Sequence, residues 1–233
     1  LGMVLLIMIS LMSMYFGASH HERELLNSMV TYTLLSSMVL TGILSMVLTR
    51  FVADSLYSGN TGAVLPSFWG GVSIMLAAGE PAYGIFLACA GIPALYAVLC
   101  LILFGELVLV WTQMSYLTAV KDYQGIIKIF ACSLVIGCIV GAGLIPGTRI
   151  NVVTAMLASV TTAYGVMAVL YYRLMTQYFS EGNISSMCFV SWVRKYPQLV
   201  MLGLFMSLGL FGHLVIMWSG QAGRRIQGLF YAA

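Results

Sequence analysis

The chain has 233 residues, of which 61% are hydrophobic and only 7% are charged, and its mean hydropathy is +1.00. Soluble domains carry about 25% charged residues, so this composition excludes a water-soluble globular fold and indicates that the protein is solvated by a bilayer. The net charge of +3 is scattered along the chain, without the basic tract expected of a nucleic-acid-binding protein.

The apolar segments are long and continuous rather than alternating, which favours membrane helices over membrane strands. The first segment begins at Leu1 and has the pattern of a truncated membrane helix. The sequence therefore predicts an all-α, polytopic membrane helix bundle of about seven transmembrane helices, at residues 1–17, 25–48, 64–90, 93–117, 126–145, 152–175 and 198–218.

Polar residues predict the connections between these helices. Residues 19–24 (Ser-His-His-Glu-Arg-Glu) read as a solvated break, and residues 176–197 as a longer polar loop. Gly79-Glu80-Pro81 is expected to interrupt the third helix, which places Glu80 at a helix break or in an outer loop. Residues 219–227 read as a polar tail.

Basic residues suggest an orientation, because Lys and Arg favour cytoplasmic loops. If the amino-terminal side is cytoplasmic, six basic residues fall on that side and four on the other. The six are Arg50, Lys121, Lys128, Arg173, Arg194 and Lys195; the four are Arg23, Arg149, Arg224 and Arg225.

Small and hydroxylated residues form stripes on several predicted helices. The fifth helix carries Gly137 and Gly141 in a Gly-x-x-x-Gly pattern, and the second helix carries hydroxylated residues at four-residue spacing: Thr33, Ser37, Thr41, Ser45 and Thr49. One interpretation is a polar cavity that holds a hydroxyl-rich substrate. The other is close helix packing, with each hydroxyl bonded to a carbonyl of its own helix.

Two polar residues lie within the fourth predicted helix. Glu106 and Gln113 are seven residues apart and share a helix face. Ionisable groups at membrane depth are costly and are commonly functional. Glu106 could contact a cationic or hydroxylated substrate or carry a coupling proton; the alternative is a protonated or paired structural carboxylate.

Enzyme signatures are missing from the sequence. It contains no P-loop, no His-Glu-x-x-His, no Gly-x-Ser-x-Gly and no Cys/His cluster with metal-ligand spacing. The sequence therefore predicts a protein that is not an enzyme and that needs no cofactor or metal. Without a nucleotide-binding domain, any transport would be driven by a gradient, by the polymerising substrate or by a partner.

Several segments resemble the PelG family of exopolysaccharide exporters. The most specific is Thr-Arg-Phe-Val-Ala-Asp at residues 49–54, where polar and charged residues interrupt a generic apolar background. Residues 111–117 (Trp-Thr-Gln-Met-Ser-Tyr-Leu), residues 196–211 with their two Leu-Gly-Leu-Phe repeats, and residues 226–231 (Ile-Gln-Gly-Leu-Phe-Tyr) also resemble the family.

The resemblance implies a flippase-like fold with two helix bundles around a central cavity, related to multidrug/oligosaccharidyl-lipid/polysaccharide flippases. This chain would be a fragment holding the first bundle at residues 1–195, with its first helix truncated, and the start of the second at residues 196–233. The family implies a multi-pass protein of the bacterial cytoplasmic (inner) membrane. It also implies a hexosamine-rich polymer of the Pel type as substrate and, as partners, the glycosyltransferase PelF and the membrane proteins PelD and PelE.

Three functions follow from these observations. The first is export of an exopolysaccharide through a cavity lined by Thr33, Ser37, Thr41, Glu106 and Gln113, since a glycan in transit needs replacement hydrogen bonds for those it loses with water. The second is a small-molecule or cation antiporter of the same fold class. The third is a non-transporting membrane scaffold for a polysaccharide synthase.

Overall fold

The structure, a computed structural model, is almost entirely α-helical; it describes residues 2–15, 17–147, 151–179, 182, 185–219, 224–227 and 229–232. A short 3₁₀ turn, Thr61–Ala63, precedes the third helix. The helices are α1 (Gly2–Tyr15), α2 (His20–Tyr57), α3 (Val64–Cys89), α4 (Ala94–Val120), α5 (Tyr123–Gly147), α6 (Val152–Tyr178), α7 (Val190–Lys195) and α8 (Pro197–Ser219), and a hairpin of β1 (Arg224–Gln227) and β2 (Phe230–Ala232) follows them.

Six of the described helices are long and apolar enough to cross a membrane: α2 to α6 and α8. Helix α1 has 14 residues, fewer than the roughly 20 that a span requires. The polytopic all-α bundle predicted from the sequence is therefore confirmed, with a helix at each of the seven predicted positions.

Helix α2 is longer than predicted at both ends. Its 38 residues correspond to about 57 Å at 1.5 Å per residue, which exceeds the bilayer thickness including head groups. The prediction of a solvated break at residues 19–24 is wrong, because Ser19 caps the helix: its Oγ accepts from the Glu22 N–H over 3.3 Å, and the Glu22 carboxylate accepts from the Ser19 N–H over 2.9 Å. This reciprocal capping box starts the helix within the polar segment.

Helix α3 runs without a break through Pro81. The predicted interruption at Gly79-Glu80-Pro81 is therefore wrong, and Glu80 lies inside the helix rather than in a loop. Proline removes one backbone hydrogen bond, but membrane helices tolerate this where neighbouring groups and local adjustments satisfy the freed carbonyl. Glu80 packs against α4, since a Cβ built on Gly105 would lie 2.6 Å from Glu80 Oε1.

Helix α4 lies at the centre of the bundle and packs on α2, α3 and α6. Side-chain hydrogen bonds mark three of its faces: Trp111 Nε1 donates to Ser37 Oγ of α2 over 3.2 Å, Tyr116 and Ser67 of α3 share a bond of 3.0 Å, and Gln113 Nε2 donates to the Ala168 carbonyl of α6 over 3.0 Å. Such interhelical bonds matter in lipid, where apolar association of helices is weak.

Small residues permit the closest helix contacts. Helices α5 and α6 meet where a Cβ on Gly137 would lie 2.8 Å from Ala163 Cβ, and the Ser159 hydroxyl donates to the Gly137 carbonyl. Helices α2 and α8 approach still more closely: a Cβ on Gly203 would overlap the Gly42 carbonyl. The Gly-x-x-x-Gly stripe on α5 thus serves close helix packing, the second of the two interpretations that the sequence left open.

The hairpin after α8 folds back onto α2 and α3. Phe230 is fully buried, with ring centroids 5.1 Å from Tyr32 and 5.8 Å from Phe86, and the Tyr231 N–H donates to Tyr32 Oη over 3.2 Å. The predicted polar tail at residues 219–227 therefore includes a strand, β1.

The six basic residues assigned to one side in the sequence lie in or near the segments that meet at one end of the bundle, here termed the basic end. Tyr178 at the end of α6 donates to Asp122 in the α4–α5 connection over 2.9 Å, and Phe51 of α2 packs edge-on against Trp192 of α7. Lys195 of α7 lies 5.3 Å from the Trp192 ring centroid. Of the residues assigned to the opposite side, Arg149 lies outside the described residues.

Candidate functional site

A cavity of about 500 Å³ lies between α2, α4 and α8, here termed the α2–α4–α8 cavity. Its lining combines hydroxyl groups, methionines and two aromatic rings: Met38, Thr41, Gly42, Ser45, Met46 and Thr49 from α2, Trp111, Met114, Ser115 and Thr118 from α4, and Ser207, Leu210 and Phe211 from α8. None of these lining residues is charged.

Helical periodicity brings these residues to one cavity. The α4 residues follow the spacing i, i+3, i+4 and i+7, from Trp111 to Thr118, and therefore share one face of the helix. The α2 residues from Met38 to Thr49 extend the same kind of pattern over three turns. The close approach of α2 and α8 at Gly42 and Gly203 holds the third wall against the other two.

Several of the cavity hydroxyls donate their protons within their own helices. Thr41 Oγ1 donates to the Ser37 carbonyl over 2.9 Å, Ser45 Oγ to the Gly42 carbonyl over 3.2 Å, and Thr118 Oγ1 to the Met114 carbonyl over 2.7 Å. A hydroxyl oxygen that donates still has lone pairs with which to accept. The wall of the cavity therefore presents neutral acceptors to whatever occupies it.

The ring of Trp111 is held in position at this cavity. Its Nε1 donates to Ser37 Oγ, and the Ser37 hydroxyl donates in turn to the Leu34 carbonyl over 2.8 Å. The short chain of hydrogen bonds orients the indole between α4 and α2. An amphipathic aromatic face at fixed orientation is a common means of holding the apolar face of a ligand.

The structure separates the five residues predicted to line a substrate path. Thr41 lines the α2–α4–α8 cavity. Thr33 and Ser37 are fully buried on the same helix: Thr33 Oγ1 lies 2.7 Å from Tyr83 Oη of α3, and Ser37 bonds to Trp111. The amino-terminal part of the predicted stripe, Thr33 and Ser37, thus bonds to neighbouring helices, while Thr41 faces the cavity.

Glu106 and Gln113 lie on the other side of α4, towards α6. A Cβ on Gly165 of α6 would lie 2.8 Å from Glu106 Oε1, and Gln113 bonds to the Ala168 carbonyl. Within the described part of the chain, Glu106 Oε2 and Gln113 Oε1 are buried and have no hydrogen-bond partner. The two residues share a face of α4, as predicted, but that face is not the one that lines the α2–α4–α8 cavity.

Sequence reasoning missed most of the α4 wall. Met114, Ser115 and Thr118 carry no charge and lie in a continuous apolar helix, so they did not stand out individually. Their common spacing with Trp111 was the available signal. The described residues contain no group of three or more His, Cys, Asp or Glu side chains that could hold a metal ion.

Comparison with protein families identifies the chain. The family model PelG, described as "Putative exopolysaccharide Exporter (EPS-E)", matches residues 1–233, which is the whole of this sequence. No curated protein and no solved structure matches the chain significantly. The match agrees with the six apolar helices and with the resemblance carried by residues 49–54 and 111–117. This multi-pass helical membrane protein belongs to the PelG family of exopolysaccharide exporters.

Proposed function

We propose that the protein exports a hexosamine-rich exopolysaccharide of the Pel type across the cytoplasmic membrane of a bacterium, and that the polymer passes through the α2–α4–α8 cavity. The observation that carries this proposal is the combination, in one cavity of an exporter-family protein, of hydroxyl acceptors with the oriented Trp111 ring.

The chemistry of the cavity suits a sugar chain. A sugar unit presents hydroxyl donors at its edge and C–H groups on its faces. The oxygens of Thr41, Ser45 and Thr118 can accept from the hydroxyls and so replace bonds to water, while Trp111 and Phe211 can pack against the faces. Because none of the described lining residues is charged, each unit would be held weakly, which favours passage over retention.

The residues predicted to line the substrate path have different roles in this proposal. Thr41 would contact the polymer directly, and Ser37 would act by orienting Trp111. A path that also included Glu106 and Gln113 would pass between α4 and α6, so their assignment to the path stays a prediction.

The basic end is proposed to be cytoplasmic, because it collects Arg50, Lys121 and Lys128 together with Arg173, Arg194 and Lys195. A cytoplasmic glycosyltransferase such as PelF would then deliver polymer at this end, and PelD and PelE would accompany the exporter in the membrane. Helix α7, with Trp192 and Lys195, would lie in the interface of that leaflet.

The test is a mutation that obstructs the cavity, introduced into the gene that encodes the protein. Ser115→Phe places a ring in the lining, and a deletion strain carrying this variant should lose most secreted hexosamine while accumulating it in the cell fraction. Thr162→Phe is the matched control. Ser115 donates to the Trp111 carbonyl of its own helix over 3.1 Å, and Thr162 likewise donates to the Ala158 carbonyl over 2.8 Å, but Thr162 is exposed on α6.

The amounts of hexosamine in the secreted and cell fractions distinguish export from a scaffold function. Normal secretion by Ser115→Phe, with the protein present in the membrane at wild-type level, would exclude this cavity as the path. Absence of polymer from both fractions would instead indicate a scaffold that the synthase needs in order to work.

A further inference from the structure

A second opening lies on the opposite side of α4 from the α2–α4–α8 cavity. This groove of about 470 Å³ runs between α3, α4 and α6. Its apolar part includes Leu109 and Val169, and its polar part includes Gln113, Arg173 and Thr176. Val169 is 57% exposed on the outer surface of the bundle, so the groove opens sideways to the bilayer.

One buried polar atom of a residue in the groove wall has no hydrogen-bond partner within the part of the chain that the structure describes. Gln113 is only 2% exposed, and its amide nitrogen is used by the Ala168 carbonyl. Its Oε1 has no hydrogen-bond partner among the described residues. A buried acceptor left unsatisfied is costly. Because Gln113 is one of the residues that line the groove, a donor that reaches this atom from the groove would satisfy it.

Arg173 supplies the groove with a positively charged hydrogen-bond donor. It is exposed in the groove wall, and among the described residues no carboxylate lies within ion-pair distance of its guanidinium. The position is near the end of α6, five residues before Tyr178, or about 7.5 Å along the helix. With the end of α6 at the membrane surface, this depth is the boundary between the head groups and the hydrocarbon core, from which a long arginine side chain reaches the head groups.

An amphipathic pair forms the rim of the groove. Trp69 Nε1 donates to Tyr172 Oη over 3.4 Å, and the two ring centroids are 5.5 Å apart. Trp69 lies five residues after the start of α3, at a depth similar to that of Arg173. Tryptophan and tyrosine are the residues that concentrate at head-group level.

We propose that this groove binds an anionic glycerophospholipid, with the phosphate on Arg173, a head-group hydroxyl donating to Gln113 Oε1, and acyl chain packed along Leu109 and Val169. Charge selects this occupant: among the described residues of the groove, Arg173 is the one cation without an ion-pair partner, and its single charge matches one phosphodiester. An unpaired acceptor in addition favours a head group that carries hydroxyls, as phosphatidylglycerol does.

The site is independent of the export proposal, because its test measures binding. Purified protein in detergent micelles is titrated with dioleoyl phosphatidylglycerol or dioleoyl phosphatidylcholine and analysed by native mass spectrometry. The expected result is at least about tenfold tighter binding of phosphatidylglycerol, a preference that Arg173→Gln removes. Lys128→Gln, which removes one positive charge at the same end of the bundle outside the groove, should keep it.

Two further variants test the groove and the acceptor. Val169→Trp fills the groove from an exposed position and should abolish the preference, whereas Ile139→Trp, at a residue 66% exposed on α5, should not. Gln113→Leu should bind phosphatidylglycerol no better than phosphatidylmethanol, which has the same charge and no head-group hydroxyl.

Three results would overturn the proposal. Equal binding of the two dioleoyl lipids by the wild-type protein would indicate annular lipid only. Equal losses in Arg173→Gln and Lys128→Gln would indicate diffuse charge attraction. Retention of the preference in Val169→Trp would place the lipid elsewhere, and this variant decides the question even if Gln113→Leu does not fold.

Discussion

Trp111 of α4 and Ser37 of α2 are joined by a hydrogen bond of 3.2 Å from the indole nitrogen to the hydroxyl oxygen. The bond fixes the ring at the wall of the α2–α4–α8 cavity. It also explains why Ser37, predicted as a path residue from its spacing, is fully buried: its effect on the cavity is exerted through the ring that it orients.

Substitutions of Trp111 can separate the effect of the hydrogen bond from the effect of the aromatic ring. Trp111→Phe removes the donor but keeps an aromatic face, so it should cost about 1 kcal/mol of stability and retain most export. Trp111→Ala removes both and should abolish most secretion. Melting temperature in detergent and secreted hexosamine check the two effects; equal export by the two variants would show that the ring does not contact the polymer.

The contact between α2 and α8 gives a prediction about assembly. A side chain at Gly203 would overlap the Gly42 carbonyl, which is backbone and cannot move away cheaply. Gly203→Val should therefore destabilise the protein by about 1–3 kcal/mol or more, measured as a lower melting temperature. Gly209→Val is the matched control on the same helix, because a Cβ at Gly209 has no neighbour within 4 Å among the described residues. Equal melting temperatures of the two variants would contradict the packing.

The sequence was sufficient to predict the membrane bundle, because length and hydropathy determine a membrane span almost alone. It misplaced the ends of α2, since polar residues at 19–24 indicate a loop by composition while Ser19 and Glu22 form a capping box. It also broke α3 at Pro81, where tertiary context in a membrane protein overrides local propensity.

The candidate site was predictable only in part. Four-residue spacing identified one face of α2, but spacing within one helix does not show which neighbour that face meets. Thr33 meets Tyr83, whereas Thr41 meets a cavity. Glu106 and Gln113 attracted attention through their polarity, and the cavity face of α4, with Met114 and Ser115, did not. Which neighbour a helix face meets is determined only in the assembled bundle.

The amino-terminal cap of α2 gives a local prediction. Ser19→Ala removes the hydroxyl that accepts from the Glu22 N–H, a loss that costs about 1 kcal/mol at an exposed helix start. Amide hydrogens of the first turn, residues 20–24, should exchange several times faster, while those in the middle of α2 stay protected. Unchanged exchange in the first turn would show that the capping box does not hold this end of the helix.

Substitution of Glu106 is the strongest test of whether the substrate path includes the α6 side of α4. Glu106→Gln keeps the shape of the side chain and its packing against Gly165 but removes the ionisable group. If the carboxyl contacts a cationic group of the substrate, one of the two contacts that the sequence suggests, secretion should fall at least about tenfold, because charge-assisted hydrogen bonds are roughly twice as strong as neutral ones. Membrane insertion and melting temperature should stay near wild type.

The control for this variant is Glu80→Gln, because Glu80 is also a carboxyl within the membrane-spanning region but packs on a different face of α4, at Gly105. Secretion by Glu80→Gln should stay normal. Equal secretion by both variants and the wild type would leave Glu106 a structural group and confine the path to the α2–α4–α8 cavity. Equal loss in both would instead show a general need for acidic groups in the membrane rather than a contact with the polymer at Glu106.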